Sequence, residues 1–478
     1  RPDGTLWHIP GSSWGLFTIA CTVPIALFVG LWMYRIRKGK VVEASIIGAV
    51  AVLACTWAGS LIPGSPLERY FSLSQHGVTI AIACYGFIAS VLPVWLLLCP
   101  RDYLSSYLKI GTVLALVIGT MVVNPELKMP AFTEFTGGGG PVVPGKVFPF
   151  VFITIMCGAI SGFHALVASG TTPKMMSRES HARPIGYGAM LIESVVGVVA
   201  LIAATALDPG DYFAINIDLA RQPQWQPALE RMGFVVHDLR ALEAAVGEQL
   251  QGRTGGAVSL AVGMSQIFAG LPFFRHLTAF WYHFAIMFEA LFILTTIDTG
   301  TRVARFLVQE QMGRFSPRLG RPDFLPGTLL STGLIVCAFS YFIWTGSIDT
   351  IWPMFGVSNQ LLAVVALAVA GTVLVNAGRA RYLWVTVTPM LFVAVTTTTA
   401  GVQLIMQRFW PLLRSDDGAL RFRGGLNAAL TIIMLVCVIV ILADAARRWL
   451  AVRNGTATPV EPLCPAPYDP NRPPDRCC

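Results

Sequence analysis

The segment Pro149–Met176, PFVFITIMCGAISGFHALVASGTTPKMM, decides the fold class that we predict for this chain. It opens as an apolar run long enough to enter a bilayer, and small or polar residues then interrupt it at 161–164 and at 169–174. Interrupted helices are tolerated at membrane depth only where protein or a water-filled cavity satisfies the freed backbone groups. Such helices often form the binding sites of transporters, whereas the alternative is that the small residues only let two helices pack closely.

The composition supports a membrane protein over the whole length of the chain. Of its 478 residues, 54% are hydrophobic and only 13% are charged, and the mean hydropathy is +0.64. Globular domains contain about 25% charged residues. We therefore predict an all-α polytopic membrane protein whose partner is the lipid bilayer. The net charge of +8 is explained by basic loops, so no nucleic-acid partner is expected.

Apolar windows of about 18 residues or more predict about eleven transmembrane helices. A further apolar segment, Val258–Leu271, is short for a crossing, and we interpret it as re-entrant or interfacial. The predicted spans are Trp14–Tyr34, Ala44–Ile62, Val78–Leu98, Tyr107–Val123, Pro149–Gly170, Gly186–Leu207, Ala279–Thr299, Pro326–Thr345, Trp352–Val375, Leu383–Met406 and Leu426–Asp444.

The distribution of basic residues predicts the orientation of these spans. With eleven crossings, one set of loops holds more than twice as many Lys and Arg residues as the opposite short loops. Basic loops stay on the cytoplasmic side. The N-terminus of the chain is therefore expected outside and the C-terminus in the cytoplasm.

The spans divide the chain into four predicted regions. Residues 14–206 hold the first six spans, including the broken helix 149–170, and residues 277–444 hold the other five. Residues 207–276 form an external polar insertion with the short apolar segment, and 445–478 form a disordered cytoplasmic tail. In the insertion, apolar residues recur at helical spacing over Asp238–Leu250. A plain packed connection and a small external lid both remain open.

Polar residues at the interruptions are the candidate substrate contacts. Helix ends inside a membrane offer unpaired amides to an anionic substrate group, helped by the helix dipole. A second group of carboxamides lies near the start of a later span. The predicted substrate-binding residues are Ser161, Gly162, His164, Ser169, Thr171, Thr172, Asn359 and Gln360.

Ionisable residues within the spans are the candidates for proton coupling. Glu193, His283 and Glu289 lie inside predicted spans, where such side chains are costly and usually face a cavity or a partner. The alternative for each glutamate is a neutral carboxyl group packed against Ser or Thr. Asp298 stands four residues before Arg302, which favours a simple ion pair at a helix end.

No pattern of a known catalytic centre is present in the sequence. The motifs HExxH and GxSxG are both missing, and no pair of His or Cys residues has metal-ligand spacing. We therefore predict a protein that is not an enzyme and that holds no metal and no cofactor.

Four motifs resemble the carbon starvation protein A family. The resemblance extends from about Trp14 to about Asp444, and motifs of this length are specific. The motifs are VWLLLCPRDYLS at 94–105, SGFHAL with SGTTPK at 161–174, FWYHFA with EALFIL at 280–294, and WPMFG with NQ at 352–360.

The resemblance implies a bacterial inner-membrane transporter. Family members take up peptides and, for some members, pyruvate with protons under nutrient starvation. It also implies an amino acid–polyamine–cation superfamily architecture with inverted repeats. Because family members carry additional N-terminal helices, this chain is expected to be N-terminally truncated and the repeat incomplete. A membrane substrate sensor and a channel without ion coupling are the alternatives.

Overall fold

A computed structural model describes residues 11–92, 98–143, 145–170, 172–271, 274–344 and 348–458. Within these ranges the protein is helical and contains no β-strand. The α-helices are α1 (Ser13–Leu31), α2 (Val41–Gly59), α3 (Glu68–Phe71), α4 (Gln75–Val91), α5 (Leu98–Val123), α6 (Phe152–Ala159), α7 (Gly162–Gly170), α8 (Thr172–Met175), α9 (Ala182–Thr205), α10 (Pro209–Asn216), α11 (Gln222–Arg231), α12 (Arg240–Val246), α13 (Gly256–Ala269), α14 (Thr278–Phe315), α15 (Leu325–Trp344), α16 (Ile348–Asn376), α17 (Trp384–Leu404), α18 (Trp410–Leu413) and α19 (Gly418–Arg453).

Short turns of other helix types extend or connect these elements. Most of them continue a neighbouring α-helix, so several spans are longer than the α-helix alone. The π-helical turns are Trp32–Ile36, Val147–Val151 and Ile405–Phe409, and the 3₁₀ turns are Glu134–Gly137, Glu179–His181 and Ala380–Tyr382.

Nine helices in the described part of the chain are long and apolar enough to cross a membrane. Each of the nine overlaps one predicted span, which confirms the prediction of a polytopic all-α protein. The nine are Ser13–Ile36, Val41–Gly59, Pro100–Val123, Glu179–Thr205, Thr278–Phe315, Leu325–Trp344, Met354–Asn376, Ala380–Leu413 and Leu420–Arg453.

The two remaining predicted spans coincide with shorter apolar helices. Val78–Leu98 overlaps α4, which ends at Val91 and is followed by an extended Leu92. Pro149–Gly170 is divided between α6 and α7 by an extended Ile160, so the predicted interruption is present. The hydropathy of both segments is high, and the shorter helices result from these backbone breaks.

The chain divides into two compact units. The first contains Arg1–Pro144 and Ser169–Ser347, and the second contains Gly145–Ala168 and Ile348–Cys478. The boundary therefore lies within α7. The predicted division at 14–206, 207–276, 277–444 and 445–478 follows the order of the spans and remains a prediction.

The first unit is built around α13. This helix has 14 residues, and buried side chains of α5, α9, α10 and α14 surround it. Gly263 of α13 lies so close to the backbone of Ala203 that a Cβ atom would overlap its carbonyl group. A second cluster joins α2, α5 and α14 through Val52, Leu104 and Met287. The predicted re-entrant segment is thus a short buried helix.

The polar insertion folds as three short helices, α10, α11 and α12. Phe213, Ile217 and Leu229 form a small core of their own. Val246 and Leu250 are buried in the cluster that contains α13 and α14, so the insertion packs on the apolar helices. The helical spacing predicted over 238–250 corresponds to α12 and its flanking turns.

The second unit packs α6, α16, α17 and α19 together with α18. Its buried core includes Ile153 of α6, Val364 of α16, Val393 of α17 and Leu435 of α19. Large apolar side chains on the outside of this unit remain exposed, as expected for helices whose solvent is lipid.

Candidate functional site

The interruption between α6 and α7 is organised as a helix N-terminus. Ile160 adopts an extended conformation, and Ser161 then occupies the position before the first residue of α7. The Ser161 hydroxyl accepts a hydrogen bond from the backbone N–H of His164 at 3.4 Å. A serine that caps the third helical residue in this way satisfies one of the free amides at a helix start.

A side chain from another helix of the same unit completes this end of α7. Asn359 of α16 is 5% exposed, and its Oδ1 atom accepts from the backbone N–H of Phe163 at 2.8 Å. The Ser161 hydroxyl also lies 3.2 Å from this atom and donates to it. The structure thus brings together two predicted residues that are 198 positions apart in the chain.

Gln360, the residue that follows Asn359 on α16, is buried without a hydrogen-bond partner among the described residues. Its side chain is 0% exposed, and neither Nε2 nor Oε1 is hydrogen-bonded within the described residues. A buried polar group without a partner costs about 1–3 kcal/mol. Such a group is retained against that cost when it binds a ligand or a water molecule that the protein itself does not supply.

The close packing of α7 and α16 depends on Gly162. A Cβ atom at this position would overlap the carbonyl oxygen of Asn359 and would lie 2.9 Å from the backbone nitrogen of Ala363. Both groups belong to the backbone of α16 and cannot move as a side chain could. Glycine at 162 therefore sets the distance between the helix break and the Asn359 side chain.

We expect Gly162→Ala to lower the free energy of unfolding by about 1–3 kcal/mol, because the extra methyl group must push α7 away from α16. Thermal unfolding of the purified protein in detergent measures this change. Gly188→Ala is the matched control, since a Cβ atom there meets nothing within 4 Å and alanine favours a helix. Equal unfolding temperatures for the two variants would contradict the packing argument.

The other predicted substrate residues lie on exposed or half-buried positions. His164 and Ser169 are exposed on α7, and Thr172 is half-buried at the start of α8. Thr171 lies outside the described residues. His164, like Ser161 and Gly162, belongs to the second unit, and Ser169 and Thr172 belong to the first.

Glu289, one of the candidates for proton coupling, lies on α14 in the first unit. Its side chain is half-buried, and its Oε2 atom has no hydrogen-bond partner in the described part of the protein. Glu193 differs, because its side chain is exposed on α9 near the middle of a candidate span. The structure does not place these two carboxyl groups in one cluster.

His283 lies near the start of α14, against the polar insertion. Its ring stacks on Trp14 with 3.7 Å between ring centroids, and its side chain is 0% exposed. The Nδ1 atom lies 3.8 Å from Oε1 of Glu248, which is too long for a hydrogen bond, so the two groups are neighbours without a direct hydrogen bond.

Glu248 forms a buried ion pair within the insertion and is connected to α14 by a hydrogen bond. Its Oε2 atom lies 2.8 Å from Nη1 of Arg253 and accepts a 3.3 Å hydrogen bond from the hydroxyl of Tyr282. Burial raises the pKa of Glu248, although Arg253 and Tyr282 act in the opposite direction. Glu248 could not be identified from the sequence. One of its partners, Tyr282, lies outside the insertion, and the other, Arg253, lies five positions further along the chain.

A second buried ion pair was also missed in the sequence analysis. Arg101 of α5 is 0% exposed, and its Nη1 atom donates to Oδ2 of Asp298 on α14 at 2.9 Å. The Tyr85 hydroxyl donates to the same oxygen at 2.7 Å. The sequence predicts an ion pair between Asp298 and Arg302 at a helix end. This prediction is wrong about the partner, because the arginine that is hydrogen-bonded to Asp298 is Arg101 from a different helix.

One face of α14 carries the signal that could have revealed this network. Asp298, Arg302, Arg305 and Gln309 follow one another at intervals of four, three and four residues, and all are buried. That spacing places them on one face of a helix. A polar stripe on an otherwise apolar span indicates a buried polar network.

Metal binding finds no support in the described residues, where no group of three or more His, Cys, Asp or Glu side chains could hold an ion. What the site offers instead is a set of buried amides and ionisable groups within apolar helices. Together with the helix break, these features define a polytopic membrane protein of the class that forms binding sites at interrupted helices.

The chain belongs to the carbon starvation protein CstA family, which matches residues 5–400. It is 45% identical over 437 residues to the peptide transporter CstA of Bacillus subtilis (strain 168), covering 91% of this chain and 71% of that protein. It is 49% identical over 413 residues to the peptide transporter CstA of Campylobacter jejuni, covering 83% and 58%.

Another relative is named for a different activity. The chain is 40% identical over 502 residues to the pyruvate/proton symporter BtsT of Escherichia coli (strain K12), covering 93% of this chain and 70% of that protein. The aligned region thus spans between 58% and 71% of the length of these three relatives. No solved structure matches the chain.

Proposed function

We propose that this chain is part of a secondary active transporter that takes up peptides or pyruvate across the bacterial inner membrane by proton symport under carbon starvation. Its family membership and the activities for which its relatives are named support peptides or pyruvate as the substrate and the proton as the coupling ion. The basic loops support an external N-terminus and a cytoplasmic C-terminus. Relatives named as transporters also favour a protein without catalytic activity.

The observation that carries this proposal is the start of α7, where Asn359 of α16 accepts the Phe163 amide, together with the buried and unpartnered amide of the following residue, Gln360. In the structure, the backbone N–H of Phe163 donates a hydrogen bond to Oδ1 of Asn359. A substrate carboxylate can replace that oxygen, because helix N-termini favour negative charge. Gln360 then supplies one donor and one acceptor for the remaining polar atoms of the substrate.

Gln360→Leu is expected to distinguish a role of Gln360 in substrate binding from a role in the stability of the fold. Leucine removes the unsatisfied amide at similar volume, so the free energy of unfolding should rise by about 1–3 kcal/mol. Uptake of substrate should nevertheless be lost. Thr397→Val is the matched control, because Thr397 is also 0% exposed with an unpartnered hydroxyl, and it should keep uptake.

The activity itself is tested with the full chain in proteoliposomes under an imposed pH gradient. Labelled pyruvate uptake is followed with and without excess dipeptide. Uptake that requires the gradient and ignores the dipeptide identifies a pyruvate symporter, whereas acidification of the lumen on addition of dipeptide identifies peptide uptake. Substrate flux that is unaffected by the gradient would instead indicate a channel. A protein with no flux that still binds substrate would indicate a sensor.

A further inference from the structure

Three buried arginines lie against α4 in the first unit, two of them at its C-terminal end and the third, Arg101, over the ring of Tyr85. Arg101, Arg302 and Arg305 are 0%, 3% and 6% exposed. Arg302 donates through Nη2 to the carbonyl oxygen of Ala89 at 2.6 Å, and Arg305 donates through Nη1 to that of Ser90 at 2.6 Å. The guanidinium groups of Arg302 and Arg305 thus cap a helix end, where cations are favoured.

Capping uses only part of the hydrogen-bonding capacity of these side chains. Arg101 makes its ion pair through Nη1 alone, and its Nε and Nη2 atoms have no hydrogen-bond partner. The Nε atom of Arg305 and the hydroxyl of Ser90 are buried and unpartnered as well, within the residues that the structure describes. Four donor atoms near the end of α4 therefore have no acceptor.

The charges in this region do not balance. Asp298 interacts with Arg101 and Arg302, and Asp102 on α5 interacts with Lys109, which lies over the ring of Phe292. With Arg305, four cations thus face two carboxylates. The end of a helix supplies only about half a negative charge. Burying the remaining positive charge costs several kcal/mol unless an anion accompanies it.

We propose that Arg101, Arg305 and Ser90 bind an oxyanion, the carboxylate or phosphate group of a ligand, at the end of α4. The oxyanion accepts hydrogen bonds from the four unpartnered donors and neutralises the excess charge. Asp298 competes with it for Arg101, because both anions use the same guanidinium group. The residues of this site belong to the first unit, whereas Gln360 belongs to the second.

Thermal unfolding of the purified full chain tests this site with acetate and inorganic phosphate as probes, against chloride at equal ionic strength. We expect a saturable increase in the unfolding temperature. Arg305→Gln should weaken apparent binding by about tenfold or more, because a charge-assisted hydrogen bond contributes about 1.5–3 kcal/mol. Arg314→Gln removes the same charge from an exposed position of α14 and should leave binding unchanged.

Reconstitution in nanodiscs identifies the source of the oxyanion. If phosphatidylglycerol stabilises the protein relative to phosphatidylcholine, and Arg305→Gln removes this effect while acetate has none, the ligand is a lipid phosphate. If acetate or phosphate shifts unfolding in both lipids, the ligand is a soluble anion. The absence of both effects, or equal effects in Arg305→Gln and Arg314→Gln, would overturn the proposal.

Asp298→Asn provides a test that does not depend on the folding of the Arg305 variant. Removing the competing carboxylate frees Arg101, so the apparent affinity for the probe should rise by about tenfold. Unchanged or weaker binding would overturn the proposal. Because these measurements detect binding without transport, their failure is distinguishable from loss of uptake in the Gln360 variant.

Discussion

Replacing Arg101 by methionine is expected to lower the free energy of unfolding by about 3–5 kcal/mol, because the buried Asp298 carboxylate loses the guanidinium group that pairs with it directly and keeps only a longer-range interaction with Arg302. Asp298 is 1% exposed, and Arg101 is the only residue that forms an ion pair with it among the described residues. The Tyr85 hydroxyl remains as a hydrogen-bond donor, but it carries no charge. Unfolding by denaturant, followed by tryptophan fluorescence in detergent, measures the loss.

Two controls distinguish the loss of the ion pair from the loss of a large side chain. The double variant Arg101→Met, Asp298→Leu removes both charges and should recover most of the stability, because an apolar pair can replace a buried ion pair at little cost. Arg69→Met makes the same substitution at an exposed site and should change little. A double variant as unstable as Arg101→Met would show that packing dominates.

This ion pair also shows where prediction from the sequence ends. Asp298 and Arg101 are 197 positions apart, and Arg302 stands four residues from Asp298 in the direction that favours a local pair. The sequence shows Arg302 as a local partner for Asp298, but it does not show the angle at which α5 crosses α14. The long-range partner is chosen by that packing, so it could be found only in the structure.

The helix break was predictable for a local reason. Ser161 and Gly162 lie within an otherwise apolar run, and serine is a preferred helix cap. The apolar runs likewise located the nine long helices. The sequence did not reveal that Asn359 would accept the Phe163 amide, since this contact depends on how closely α7 and α16 approach.

The structure of the polar insertion was predicted only in part. The spacing of Leu239, Val246 and Leu250 indicated a helical stretch, and all three side chains are buried in the structure. Their burial against α13 and α14 favours the packed connection over a lid. The contact between Glu248 and Arg253 was not predicted, because two polar residues in a polar insertion are more often exposed.

Glu289→Gln is expected to abolish accumulation of substrate driven by a proton gradient while leaving counterflow exchange intact. A carboxyl group can carry a proton through apolar surroundings because its neutral form costs far less to bury than its anion. Glutamine keeps the size and polarity of Glu289 but cannot gain or lose a proton. The Oε2 atom of Glu289 fits this role, since it has no hydrogen-bond partner among the described residues.

The measurement compares two assays on the same proteoliposomes. Accumulation is followed with labelled substrate under an imposed pH gradient, and exchange is followed with unlabelled substrate inside and no gradient. Glu193→Gln is the matched control, because it makes the same substitution on an exposed face of α9. If Glu289→Gln loses accumulation but keeps exchange, and Glu193→Gln keeps both, coupling is supported at Glu289. If both variants lose accumulation and keep exchange, coupling is assigned to both carboxyl groups. Equal loss of accumulation and exchange in Glu289→Gln would mean that the residue supports substrate binding or folding, and the coupling role would have to be abandoned.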